Sequence, residues 1–219
     1  MSEVIWVIGS QTLMSVVKNH TSALVVPWPS DQAVARPDMV IDATLGPLAA
    51  KRQRLDTLAR QHGKIPVLTA STTVLVQAQR RWVNGALDLM GFDPWLMQID
   101  AKIITLTGVD KNPLALRALE GWEWQPVADQ VGGVFSRVIA PLVNEAMAYV
   151  GMGLEAEGIN AAIRLGLNHP QGALEWGDAF GLSQVGLVLQ AMRQTMGERF
   201  VPHPLIQQQM AKEGVDLNA

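Results

Sequence analysis

The sequence predicts an α/β unit built on a mostly parallel sheet, followed by an all-helical unit. Three observations carry that expectation. Through the first 130 residues short β-type runs alternate with helical ones, the pattern of strands joined by crossovers. From Val131 onward apolar residues recur at helical spacing and no β-type alternation appears. Hydrophobic residues make up 48% of the 219 and charged residues 17%, which suits a packed chain rather than a disordered one.

The elements follow in order. Val4 to Ile8 is an apolar run closed by Gly9-Ser10, and Ala23 to Val26 is another, closed by Pro27-Trp28-Pro29. Met39-Val40-Ile41 runs into Asp42-Ala43-Thr44. Pro47 to His62 carries Leu48, Leu55 and Leu58 at helical spacing and stops at Gly63. Ile65 to Leu68 reads as a buried strand, Thr72 to Val83 as a helix, and Lys102 to Leu106 as a further strand. Asn112 to Glu120 reads as helical and Trp124 to Val127 as extended.

In the second half Phe135 to Val150 has a broad apolar face of Ile139, Leu142, Val143, Met147 and Val150, which suits a core or an interface. Ile159 to Leu165 and Leu182 to Met196 repeat the pattern, and Pro204 to Lys212 reads as a last helix. The boundary falls near Gln130-Val131-Gly132-Gly133, so residues 1–130 are expected as the α/β domain and 131–219 as the helical one.

Bulk properties narrow the function classes. A net charge of −3 and a pI near 5.8 point away from nucleic acid and acidic membranes. No stretch approaches the ~20 apolar residues that span a bilayer. Met1 to Ile8 has neither a basic start nor a cleavage site, so a cytoplasmic protein without signal peptide is expected. The absence of cysteine excludes disulfides and thiolate chemistry. There is no metal-ligand spacing such as H-x-x-x-H, no G-x-S-x-G and no P-loop, so no metal is expected.

Four segments carry a resemblance. They are Pro141-Leu142-Val143-Asn144-Glu145-Ala146, Leu165-Gly166-Leu167-Asn168-His169-Pro170-Gln171-Gly172, the group Glu175, Asp178 and Gly181-Leu182, and Pro202-His203-Pro204-Leu205. In that order and spacing they resemble the C-terminal domain of the 3-hydroxyacyl-CoA dehydrogenase family, with its "LGLGxPxGP" and "PSPLL" signatures. The first half is similar more weakly. Pro37 to Ala43 resembles "aDlVIEA", Leu68 to Leu75 resembles "LaSNTSSL", and Leu89-Met90-Gly91-Phe92-Asp93-Pro94 resembles "LHFFNPV". The resemblance implies a Rossmann-like sheet and a helical domain through which family members commonly dimerise, hence a homodimer. Between the first strand and Asp38 there is room for only one short helix and one strand. The family has a long helical insertion there, which also contacts CoA.

The family reaction needs a histidine that accepts the 3-hydroxyl proton while hydride passes to NAD, and a glutamate that orients it. The histidine position falls on Met90, whose thioether cannot take a proton, and none of the four histidines lies in this motif. The glutamate position falls on Asp100 or Lys102. The substrate-binding asparagine of "GFVxNR" falls on Ser136, and a serine of "SNTSS" on Thr73 or Val74. Loss of the base alone removes roughly 10²–10⁴-fold.

The cofactor turn departs from the family as well. The run Gly9-Ser10-Gln11-Thr12-Leu13-Met14 keeps only the first glycine of G-x-G-x-x-G. Val26-Pro27-Trp28 stands where a ribose-binding acid belongs. Gly9 and Asp42 remain as weak candidates for cofactor contact, although a strand-end aspartate often only caps the next helix. NAD binding in the usual mode is not expected. Trp28, Trp82 and Trp95 suit a cleft wall or core packing. Arg80-Arg81 and Lys51-Arg52-Arg54 suit CoA phosphates or a solvated helix face.

Two functions stay open. One is a family member without ordinary turnover that binds an acyl-CoA thioester or a protein partner. The other is an NAD-dependent 3-hydroxyacyl-CoA dehydrogenase with a rebuilt site, in which Ser136, Thr73 and Asp93 or Asp100 take the polar roles.

Overall fold

The computed structural model describes residues 3–28, 36–109, 119 and 121–218. The first part runs β1 (Val4–Ile8), α1 (Gln11–His20), β2 (Leu24–Pro27), β3 (Met39–Asp42), α2 (Leu48–His62) and β4 (Pro66–Ala70). It continues through α3 (Val76–Trp82), β5 (Asp88–Phe92), α4 (Pro94–Gln98), β6 (Ile103–Thr107) and β7 (Glu123–Pro126). Then come only helices: α5 (Phe135–Gly151), α6 (Ala156–Gly166), α7 (Ala173–Phe180), α8 (Leu182–Met196) and α9 (Pro204–Glu213).

Among the described residues the strands form one sheet in the order β2-β1-β3-β4-β5-β6-β7. Every pairing is parallel except β5 with β6, where Gly91 faces Thr107. Strand β1 pairs with β2 on one side and β3 on the other. The chain reverses its direction of winding there, and the crevice beyond the strand ends at such a switch point is where open α/β sheets bind ligands.

Alternation along β1 divides the core. Val4, Trp6 and Ile8 face Leu55 and Leu58 of α2, whereas Ile5 and Val7 face Leu13 and Val17 of α1. The second of these clusters runs on into the helical half, so Ile41, Met90 and Phe92 share a core with Ile139, Val143, Leu187 and Val188. Of the broad apolar face of α5, Ile139, Val143 and Met147 are buried and Leu142 and Val150 half-buried, so that face packs inside the chain.

Three readings need correction or completion. The helix expected over Thr72 to Val83 starts only at Val76, because Asp129 accepts from the amides of Val76 and Gln77 and sets the first turn there. Strand β5 and helices α4 and α7 go unmarked by periodicity; β5 is a five-residue stretch with Met90 and Gly91, held by pairing on both sides. The helix expected over Asn112 to Glu120 lies outside the described residues, apart from Leu119.

Candidate functional site

A cleft of about 300 Å³ opens at the carboxyl ends of β1, β3 and β5. Gly9, Ser10 and Leu13 form one side, Ala43 to Gly46 the floor, and Pro94, Trp95 and Gln98 the far wall. Phe180 and Gln184 close it from the helical half. No described residue lining it carries an ionisable side chain. Its polar groups are hydroxyls, carboxamides and backbone.

Met90 does not reach this cleft. It is 5% exposed, sits opposite Leu68 in the sheet and packs in the main core. Thr73 lies behind the floor, its hydroxyl donating to the Leu45 carbonyl at 2.5 Å. Asp100 lies apart, half-exposed, and pairs with His20 Nε2 at 2.5 Å. His20 is held further by Gly121 O at 3.1 Å and by stacking on Trp122, so this pair staples α1 to the far edge of the sheet.

Ser136 and Asp93 are brought together. The Ser136 hydroxyl donates to Asp93 Oδ1 at 2.7 Å and its amide to Oδ2 at 2.9 Å, while the Trp95 amide donates to Oδ1 at 3.1 Å. One carboxyl therefore caps α4 and the first turn of α5. It is 2% exposed, and burial pushes it up to about 6, with the Ser136 and Trp95 hydrogen bonds pulling the other way.

The turn after β1 is tight. A Cβ on Gly9 would stand 2.8 Å from Leu13 Cδ2. Ser10 caps α1, accepting from Leu13 N at 3.1 Å, so one of the amides that would face an anion is already occupied. At the end of β2, Pro27 offers no amide and Trp28 stacks on Trp6 at 6.4 Å.

Asp42 is fully buried and belongs to an ion cluster behind the floor. Lys51 Nζ and Arg54 Nε each lie 3.8 Å from its Oδ2, and Oδ1 accepts from the Thr44 amide and hydroxyl. Lys51 also donates to Thr44 O at 2.8 Å, and Arg54 to the Thr44 hydroxyl. Three side chains thus converge on one residue of the cleft floor. Burial lowers the Lys51 ammonium to about 8, opposed by Asp42. Reading Lys51 as a helix-face charge missed this, although its register with Leu55 and Leu58 marks it as inward-facing. The second missed feature is a column of rings. Trp95 stacks on Phe180 at 4.4 Å and Phe180 on Trp176 at 5.5 Å, joining α4 to α7 beside the cleft.

The sequence model of the 3-hydroxyacyl-CoA dehydrogenase C-terminal domain matches residues 132–216. The chain is 27% identical over 179 residues to a probable 3-hydroxybutyryl-CoA dehydrogenase of Bacillus subtilis. Both matches support a member of the 3-hydroxyacyl-CoA dehydrogenase family. The Bacillus match covers 77% of this chain and 62% of that protein. A 3-hydroxybutyryl-CoA dehydrogenase of Clostridioides difficile is 25% identical, over 77% of this chain and 64% of its own. The chain therefore spans under two thirds of the length of these curated family members. The crystal structure of (S)-3-hydroxybutyryl-CoA dehydrogenase from Ralstonia eutropha superposes with a TM-score of 0.67 at 18% identity, covering 98% of this chain and 95% of that one. That likeness supports the fold, a Rossmann-like sheet with a helical domain.

Proposed function

We propose that this family member lacks ordinary NAD-dependent turnover and serves as a binding protein for an acyl-CoA thioester or as a partner protein. One observation carries the reading: among the described residues the cleft at the switch point has no ionisable side chain, and the position of the family's base is a core methionine. Removing a 3-hydroxyl proton needs an acceptor within hydrogen-bond reach of the substrate. Asp100, which with Lys102 is one of two candidates for the glutamate position, is turned to His20 on the surface.

The residues do not fit NAD in the family's usual mode. The Gly9 turn is filled by Leu13, Ser10 occupies an amide of α1, and Pro27 and Trp28 stand at the ribose end. Gly9 lines the cleft, and Asp42 is committed to Lys51, Arg54 and Thr44, so neither is offered as a strong cofactor contact.

One observation favours the alternative, a working dehydrogenase with a rebuilt site. Asp93 stands at about 6, near working pH, beside Ser136. Against it, Asp93 is buried and accepts three hydrogen bonds within the chain. Calorimetric titration with NADH and then acetoacetyl-CoA, followed by NADH absorbance, separates the two. The thioester alone should give heat; NADH binding with turnover sinks the preferred reading.

We also propose the division at 130/131 as a domain boundary and a homodimer formed through the helical half. Val138 is 61% exposed, Met152 73%, Leu165 85% and Leu167 62%, a large apolar surface for one helical unit. Among the described residues no helix is long and apolar enough to cross a membrane.

A further inference from the structure

Resting on the acyl-thioester reading above, we infer that the cleft takes the uncharged acyl-pantetheine part of its ligand and draws no affinity from the nucleotide part. An acyl-CoA joins two unlike ends. One is an acyl thioester on a chain with two secondary amides and no charge; the other is a phosphorylated nucleoside with several negative charges. The cleft matches only the first.

Its polar groups are the kind that pair with amides and a thioester carbonyl. Gln98 gives one hydrogen to Ala179 O at 3.0 Å, which leaves its carbonyl and second hydrogen for a ligand. Gln184 adds a second carboxamide, and the Ser10 hydroxyl retains its own hydrogen after accepting from Leu13. Trp95 and Phe180 supply an apolar wall for the acyl chain. At about 300 Å³ the cleft holds a fragment and not a whole coenzyme.

Among the described residues no charged side chain in this lining compensates a phosphate. Lys51 and Arg54 are turned to Asp42 and Thr44 behind the floor. A second groove, lined by Lys64, Arg80 and Arg81, lies at the other ends of β4 and β5, by Asp88. There the Arg80 guanidinium is engaged by the carbonyls of Leu89 and Gly108. A phosphate in the neutral cleft would lose its hydration without a counter-charge, so the nucleotide stays in solvent.

The test compares two ligands on one protein, so no variant's folding enters. Acetoacetyl-CoA and acetoacetyl-pantetheine are titrated calorimetrically into the full chain at about 50 and about 500 mM NaCl. The two Kd values should agree within about threefold, and neither should move more than about threefold with salt. If the CoA thioester binds tighter by more than that, or weakens more steeply with salt, the inference falls while the thioester-binding reading stands. If neither ligand gives heat, the thioester reading itself fails and takes the inference with it.

Discussion

Replacing Asp93 by asparagine, the residue of the family motif at this position, should remove a defined part of the pH dependence of folding. In the unfolded chain Asp93 titrates at 3.8; in the folded one burial holds it near 6. The folded pKa is the higher one, so the folded state binds the extra proton between these values. Stability is then greatest below 3.8 and falls as pH rises through about 6. A shift of about 2 pKa units at about 1.36 kcal/mol each comes to about 3 kcal/mol, of which about 2 lies above pH 4.5. Asp93 is fully buried, so little of this is lost to solvent screening. The asparagine side chain would not titrate and would turn an N–H toward the Ser136 amide, at a pH-independent cost of about 1–3 kcal/mol. Glu175 and Glu213, both held below the usual glutamate range, and Lys51 also titrate with folding. They cancel in the difference between the two proteins. Denaturant unfolding at several pH values between about 4.5 and about 7.5 should show wild type gaining about 2 kcal/mol on Asp93→Asn as pH falls. A difference constant to within about 0.5 kcal/mol across that window would refute the buried-carboxylate account.

Three further outcomes are expected. Lys51→Met should abolish a rise in stability of about 3 kcal/mol between pH 8 and 10.5, because the folded lysine, near 8, loses its proton before the unfolded one does; denaturant midpoints at alkaline pH read this directly. Met90→His should restore no NADH oxidation and should lower stability by roughly 1–3 kcal/mol, since the ring enters the core without a polar partner; thermal melting and an absorbance assay check both halves. Leu165→Glu combined with Met152→Glu should convert a dimer to a monomer in sedimentation analysis with secondary structure unchanged, since both side chains are more than 70% exposed in the single chain. A wild type that sediments as a monomer overturns the dimer proposal.

Much of the fold was legible because it rests on local pattern. Runs such as Met39 to Ile41 and Leu182 to Met196 report their own burial through their periodicity. The two-part order of sheet and helices, and the family resemblance, followed from such segments and from the glycine–proline turn at 166–172. Residue type alone also established that Met90 cannot act as a base. What tertiary structure decided lies in pairings that no local pattern encodes. Strand β5 is a strand because β4 and β6 offer it hydrogen bonds. Asp93 meets Ser136 across 43 residues and Asp100 meets His20 across 80, so equivalent-looking carboxylates end in opposite roles. One is desolvated between two helix ends; the other is solvated in the turn after α4. Lys51 looked like a surface charge until Asp42 and Thr44 surrounded it. The neutrality of the cleft belongs to this second kind of information. It comes from which side chains of separate segments face one space, and burial then fixes which of them can carry charge.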